Sequence, residues 1–305
     1  MHYWGDGLKI DWKLENTAPA FAEIRAAQKT VLPKNLLEVL FIFSGLFLLT
    51  ILASNAVRWL AEAVIGRRSS YAAYAISTMG MAAQIAVYIV YCKFAERRSP
   101  RTLGFIRRRT VPLYLTGTAA GILLFSGAVL IAWACGAAEY QGTGQYQTGL
   151  LLMNTVYWMA QGMSEEVSCR GFLMMTLGLY VPPYRAVLYN SVVFAAGHLM
   201  NNGISLPAMV NLTLFGVMAS LLFLRTGSIW LCGALHSFWN MAQGNVFGLP
   251  VSGYGIEQTA WKFGLSESSS LLTGGAFGLE GSLCVTAVLV LGTAAAYLLP
   301  QHQAE

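Results

Sequence analysis

The stretch LLEVLFIFSGLFLLTILASNAV, residues 36–57, decides the fold class of this chain. It contains a single charged side chain, Glu38, and about 20 predominantly apolar residues suffice for an α-helix to cross a bilayer. The whole chain is 56% hydrophobic and 11% charged, with a mean hydropathy of +0.54, whereas roughly a quarter of the residues of soluble domains are charged. The sequence therefore predicts an integral membrane protein.

Seven further apolar segments follow, so we expect an all-α, polytopic membrane helical bundle of about eight transmembrane helices. We divide the chain into a polar N-terminal tail at 1–35, an N-terminal transmembrane block at 36–149 and a second block at 150–305. The tail lacks an apolar run beside a cleavage site, so we interpret it as a retained tail, not a signal peptide. The predicted spans are 36–57, 71–92, 112–137, 150–179, 184–200, 206–224, 228–246 and 282–299.

The positive charges predict the orientation of the chain. Seven of the 19 Lys and Arg residues lie at 93–109, so the positive-inside rule places that loop and both termini in the cytoplasm, with the protein in the plasma membrane. Arg58, Arg67 and Arg68 would then lie outside, where a short interfacial helix at 58–65 would accommodate the first of them. The net charge of +5 predicts contact with anionic lipid and needs no nucleic acid.

The sequence lacks the usual local signals for disulfides and zinc. Its five cysteines are an odd number in apolar segments, and we infer no disulfide framework. There is no CxxC pair and no HExxH motif, so any metal would need ligands from separate helices. The longest loop, 248–281, contains Gly-Gly-Ala-Phe-Gly-Leu-Glu280-Gly, which is compatible with a packed re-entrant turn or with a flexible extracytoplasmic loop.

The most informative polar cluster is Glu165-Glu166-Val-Ser-Cys-Arg170, within an apolar segment. Ionisable groups at membrane depth are costly and usually functional. Glu166 precedes Arg170 by four residues, which places both on one helix face and predicts an ion pair. Glu165 is turned about 140° from Arg170 and has no obvious partner on its own helix. We interpret Glu165 as a candidate general base, and Glu166 as either a site residue or a structural tie.

Two histidines and an asparagine complete the candidate site. His198 and His236 both lie in apolar segments, and Asn240 is one helical turn after His236, so His236 and Asn240 could both donate to a developing oxyanion. If the helices begin near residues 155, 184 and 228, Glu165, His198 and His236 lie roughly 15, 21 and 12 Å along them. All three would reach the middle of the bilayer.

These groups suffice for one type of chemistry. A glutamate base, a histidine that holds a water and a His–Asn donor pair could hydrolyse an amide without a covalent intermediate. Ser164 and Cys169 flank the acids without a base at helical spacing, so we interpret both as packing residues. Asn202 and Asn211 are interpreted as loop or helix-packing residues.

The three motifs resemble, in order and type, those of the CPBP family of intramembrane proteases. This family groups type II CAAX prenyl endopeptidases with bacteriocin-processing and bacteriocin-immunity proteins, and the resemblance covers about 150–246. It implies a site open to the bilayer or cytoplasm, in which Glu165 and His198 activate water while His236 and Asn240 stabilise the oxyanion. The motifs are EExxxR at Glu165, Glu166 and Arg170, FxxxH at Phe194 and His198, and HxxxN at His236 and Asn240.

Several alternatives remain open at the level of sequence. Family members were formerly called metalloproteases, so a zinc-dependent mechanism with Glu165, His198 and His236 as ligands is the mechanistic alternative to a cofactor-free one. A non-catalytic membrane scaffold or bacteriocin-immunity protein is the alternative function. A transporter is a third, since intramembrane Glu and His also form proton relays, but no inverted repeat is visible. For the protease, the expected partner is a membrane-associated peptide or protein that is prenylated or bears a leader sequence.

Overall fold

The computed structural model describes Ile24, Pro33 and residues 35–66, 69–266 and 269–300. Almost all of the predicted polar tail lies outside these residues, as do Arg67 and Arg68, so their interpretation stays a prediction. All eight predicted apolar segments contain a helix, which confirms the all-α membrane bundle. Four helices are long and apolar enough to cross a bilayer by length and composition. The number of eight spans therefore stays a prediction, as do the proposed block boundaries.

The N-terminal block consists of three long helices: α1 at Leu36–Ile65, α2 at Ser70–Phe94 and α3 at Thr110–Ala134. The first begins after Asn35, whose side chain accepts a hydrogen bond from the backbone N–H of Glu38 at 3.0 Å, a common way to satisfy the first free N–H groups of a helix. Residues 58–65, predicted as an interfacial helix, continue α1 without a break.

The second block contains the helices that carry the polar motifs. Its first helix, α4, passes without interruption into eight residues of π-helix, and α7 similarly ends in a short π-helix. π-Helical segments within α-helices are rare and are frequently found at functional sites. The helices are α4 at Thr148–Glu166 with the π-helix Val167–Met174 and a last turn at Met175–Leu177, α5 at Pro183–Ala196, α6 at Leu206–Thr226, α7 at Ile229–Met241 with the π-helix Ala242–Val246, and α8 at Leu283–Leu298.

Two features of the loops were not predicted. A two-stranded antiparallel sheet pairs β1, Ala138–Thr143, with β2, Trp261–Leu265. In the described part of the long loop, the chain is packed, because Phe277 and Leu279 are fully buried and the Gly253 N–H donates to the Phe277 carbonyl at 2.9 Å. Of the two interpretations of this loop, the structure therefore supports the packed turn.

Glycines set the close approach of α3 to α7. A Cβ atom at Gly117 would overlap the carbonyl oxygen of Leu231, and one at Gly121 would overlap that of Leu235. Small residues one turn apart are a common device for bringing membrane helices into contact, since no hydrophobic effect drives helices together inside lipid. This contact fixes α7, which carries His236 and Asn240, against the N-terminal block.

We expect Gly121→Ala to destabilise the fold by about 1–3 kcal/mol, because the added methyl group forces α3 away from α7. Gly127→Ala is the matched control on the same helix, since its new Cβ would have no heavy atom closer than 3.9 Å. Thermal unfolding of the purified variants in detergent measures the difference. Equal unfolding temperatures for the two variants would show that the glycine contact is unimportant.

Candidate active site

Glu166 lies at the centre of the site and is completely buried. One of its carboxylate oxygens, Oε1, accepts hydrogen bonds from Arg170 Nη1 and from His236 Nδ1, each at 2.8 Å. The predicted Glu166–Arg170 ion pair is thereby confirmed. The same oxygen also connects α4 to α7, because His236 belongs to α7. The Arg170 guanidinium in addition lies 4.5 Å from the centre of the Phe194 ring, a favourable cation–π contact.

The side chain of Glu165, unlike that of Glu166, is partly exposed. Its side chain is 32% exposed, and Gln161 Nε2 donates to its Oε1 at 2.6 Å. The expectation that Glu165 lacks a partner on its own helix was therefore wrong, because Gln161 lies one turn earlier on the same face. The other oxygen, Oε2, has no hydrogen-bond partner in the described part of the chain, and His236 Nε2 is its nearest cation-forming group at 3.7 Å.

His236 and Asn240 are both bound to groups of α4. Since a carboxylate can only accept, His236 Nδ1 is protonated and donates to Glu166, which directs Nε2 toward Glu165. Asn240 Nδ2 donates to Gln161 Oε1 at 3.0 Å. Gln161 thus joins Glu165 to Asn240, a link that the three motifs do not contain. The spacing of Gln161 four residues before Glu165 was the available signal for it.

His198 is the one predicted site residue that no regular helix holds. Helix α5 ends at Ala196, and His198 follows in a turn with its Nδ1 hydrogen-bonded to the Phe194 carbonyl at 2.9 Å. Because a carbonyl only accepts, Nδ1 carries a proton, and in the neutral tautomer with this proton Nε2 has a lone pair. A neutral histidine in this form can accept a proton from a water molecule at Nε2.

The sequence-based depths along the helices need correction. Helix α4 begins at Thr148 and ends at Glu166, so Glu165 is about 26 Å from its start and lies in the last turn. The error arose because the apolar run starts two residues inside the helix and the assumed start was later still. His236 lies about 10 Å into α7, close to expectation.

A large cavity brings two of the predicted catalytic groups together. Its volume is about 820 Å³, and Glu165 and His198 both line it. Its lining includes apolar side chains of α1, among them Phe43, Phe47 and Ile51. It also includes the amide side chains of Gln84, Asn154 and Gln161. Because the lining is mostly apolar with a few polar groups, it suits a chain that carries both kinds of group.

His236 and Asn240 do not line this large cavity. His236 instead lines a smaller neighbouring cavity of about 20 Å³, together with His198, Ser252 and Glu280. Glu280 is 8% exposed and comes from the Gly-rich loop before α8, which the sequence singled out without assigning it a role. The buried carboxylate in that loop was the signal for a residue near the site.

The described residues do not form a metal site. No group of three His, Cys, Asp or Glu side chains in the ranges 35–66, 69–266 and 269–300 is arranged to hold a metal ion. The two nitrogens of His236 face Glu166 and Glu165, and one oxygen of Glu165 is bonded to Gln161. Glu165, His198 and His236 therefore do not fit a zinc site in this arrangement, and the metalloprotease alternative lacks support.

The remaining polar residues near the motifs have packing contacts. The Ser164 hydroxyl donates to the Gln161 carbonyl at 2.8 Å, and Cys169 is 7% exposed. Asn211 Nδ2 donates to the carbonyls of Glu280 and Ser282 at 2.7 and 2.8 Å. The contacts of Asn211 agree with its interpretation as a packing residue. Ser164 and Cys169 line the large cavity, so their interpretation as packing residues stays a prediction.

Comparison with known proteins supports the same region of the chain. Residues 147–242 match the family model of Rce1-like type II CAAX prenyl endopeptidases. The match covers less than half of the chain and contains the three motifs, so it confirms that this region resembles a type II CAAX prenyl endopeptidase, as the motifs indicated. It supports a CAAX-type intramembrane protease. No curated protein and no solved structure matches the chain.

We expect Glu166→Gln to destabilise the protein by about 3–5 kcal/mol, because it leaves Arg170 as an uncompensated buried charge. Glu165→Gln should cost no more than about 1 kcal/mol, since a partly exposed side chain loses one hydrogen bond. Thermal unfolding in detergent compares the two variants, which differ by one position on the same helix. Similar losses of stability would contradict the central structural role of Glu166.

Proposed function

Since residues 147–242 form an Rce1-like domain in an integral membrane protein, we propose that the protein is an intramembrane endopeptidase acting on membrane-associated peptides. The proposed substrates bear either a prenyl group or a leader sequence. The single observation that carries this proposal is the shared cavity, which is lined both by Glu165, a partly exposed carboxylate, and by His198.

The proposed nucleophile is a water molecule between Glu165 and His198. Glu165 lines the large cavity, while its Oε2 is buried and faces His236 Nε2 at 3.7 Å. In the neutral tautomer of His198 that donates from Nδ1 to the Phe194 carbonyl, Nε2 has a lone pair. Either group can take a proton as the water attacks the scissile carbonyl, and the protonated group can then return it to the leaving amine. Gln161 holds the other oxygen of Glu165, which limits rotation of the carboxylate.

The proposed oxyanion donors are His236 and Asn240. A protonated His236 carries a second N–H at Nε2, and the Asn240 amide has a second N–H besides the one bonded to Gln161. Neither residue lines the large cavity, but His236 Nε2 lies 3.7 Å from Glu165 Oε2 and Asn240 is bonded to Gln161, and both Glu165 and Gln161 line that cavity. Fixed donors at a developing oxyanion contribute about 2.7–4 kcal/mol each to catalysis.

We propose that this hydrolysis needs no metal ion. The support is the geometry of the donor set, since the contacts of His236 and Glu165 leave no common point for three ligands. We further propose a multi-pass protein of the plasma membrane with both termini in the cytoplasm. The basic loop at 93–109 supports this orientation through the positive-inside rule.

Cleavage of a peptide panel tests the function. Each peptide is offered in a farnesylated and an unmodified form to purified protein in nanodiscs, and products are identified by mass. We expect Glu165→Gln to lower kcat by about 10²–10⁴-fold, the usual contribution of a general base. Glu139→Gln, which changes an exposed glutamate on β1, should retain full activity. If wild type binds the peptides without cleaving any, the scaffold or immunity function replaces this proposal.

We expect a membrane-permeant zinc chelator to leave the cleavage rate unchanged, because the proposed water is activated by protein groups alone. The measurement uses the peptide that wild type cleaves best, with and without preincubation. Loss of activity that added zinc restores would contradict the metal-free mechanism.

A further inference from the structure

His198 has a different structural setting from the other site residues. Glu165, Glu166 and His236 lie on helices that pack tightly against each other, whereas His198 follows the end of α5 in a turn. The hydrogen bonds of the turn itself are local, from His198 N–H to the Ala195 carbonyl and from Asn201 N–H to the His198 carbonyl. A turn held by local bonds alone opens easily, so groups packed against it must fix the position of His198.

A chain of hydrogen bonds connects this turn to a distant carboxylate. The side chain of Asn201 donates to the Ser252 carbonyl at 3.1 Å. Ser252 in turn donates to Glu280 Oε2 through its backbone N–H at 2.6 Å and its hydroxyl at 3.1 Å. Hydrogen bonds to an ionised acceptor are about twice as strong as neutral ones. The strongest link in the chain is therefore the one at Glu280.

The backbone at Ser252 requires such a link. Its φ of 48° lies in the left-handed region that residues other than glycine adopt at some cost. The two bonds to Glu280 offset that cost and hold the Ser252 carbonyl toward Asn201. Without the carboxylate, the backbone of Ser252 can relax, and the acceptor for Asn201 moves away from the His198 turn.

Glu280 also shares a cavity with the site histidines. The cavity of about 20 Å³ is lined by Glu280, His198 and His236, and a volume above about 10–15 Å³ by this measure holds one water molecule. Trp239 lines the same cavity, and its indole nitrogen is buried with no partner in the described residues. A cavity whose lining includes a carboxylate and two histidines offers enough polar partners for a bridging water.

We propose that Glu280 is a positioning residue of the active site, which holds His198 in place through Ser252 and Asn201 and through a water in the small cavity. This inference rests on the proposed function for its catalytic consequence. It also gives a role to the Gly-Gly-Ala-Phe-Gly-Leu-Glu-Gly loop, which lies outside the matched region at 147–242. The glycines of the loop allow the tight turns that bring Glu280 to the site, with φ values of 78° at Gly274 and 94° at Gly278.

The first test is kinetic. We expect Glu280→Ala to lower kcat by about 10–100-fold, the effect of a misplaced catalytic group, while KM changes by less than about threefold because Glu280 does not line the large cavity. Glu280→Gln retains an oxygen that can accept from Ser252 and should recover about tenfold of that loss. Asn201→Ala breaks the next link and should lower kcat to the same extent as Glu280→Ala; its KM is not compared, because Asn201 itself lines the large cavity. The kcat of the double variant should be no lower than that of either single variant, because both changes break the same chain of hydrogen bonds.

The second test does not depend on activity. Hydrogen exchange of the purified protein, followed by mass spectrometry, should show at least about tenfold faster exchange in the segment 197–203 of Glu280→Ala. Exchange in α7 should stay unchanged, and Glu139→Gln serves as the control. Unchanged exchange at 197–203, or faster exchange throughout the protein, would overturn the proposal. If wild type cleaves no peptide, the proposed function fails. The exchange measurement still tests whether Glu280 holds the His198 turn in place.

Discussion

The interaction on which the rest of the site depends is the buried carboxylate of Glu166. Its Oε1 accepts from Arg170 and from His236 at the same distance of 2.8 Å, so one oxygen connects the end of α4, the π-helix after it and the middle of α7. Removing a carboxylate from water is expensive, and in a membrane protein this cost is acceptable only with strong partners. Arg170 is charged and His236 can be protonated. Arg170 lies in the π-helix that continues α4, which carries Glu165, and His236 lies on α7 with Asn240.

Glu166 also determines what its neighbours can do. Because Nδ1 of His236 is bound to Glu166, Nε2 must point toward Glu165. Because Arg170 is bound to Glu166 and lies over Phe194, its charge is directed away from Glu165. Glu165 is left with Gln161 as the hydrogen-bond donor to its Oε1, while its Oε2 is buried and faces His236 Nε2 at 3.7 Å. Two adjacent glutamates thus acquire different properties, one a fully buried structural acceptor and the other open to the large cavity.

The helices and the Glu166–Arg170 pair could be predicted from the sequence, whereas the bond between α4 and α7 and the start of α4 could not. The apolar segments predicted the helices because membrane helices need long apolar runs, and the four-residue spacing predicted the Glu166–Arg170 pair. The His236–Glu166 bond could not be predicted, because spacing along one helix carries no information on which residues of another helix it meets. The start of α4 was missed because its first turn, from Thr148, is polar enough to resemble a loop.

The predicted setting of His198 was also incomplete, for a physical reason. The apolar pattern continues past Ala196, but the helix ends there, and side chains of the turn pack against the loop that contains Ser252. Such contacts join residues about 50 positions apart and depend on loop conformation, which local sequence determines poorly. The small sheet was missed for a similar reason, since residues 144–260 separate β1 from β2 in the sequence.

The central claim is that Glu165 and His198 activate water in the large cavity. A structure of the protein bound to a peptide with a phosphonate in place of the scissile amide would test it most directly, because that group imitates the tetrahedral intermediate. The account predicts a phosphonate oxygen within about 3 Å of both Glu165 and His198, the range of a hydrogen bond. A peptide bound with its phosphonate outside this cavity, or next to other residues, would contradict it.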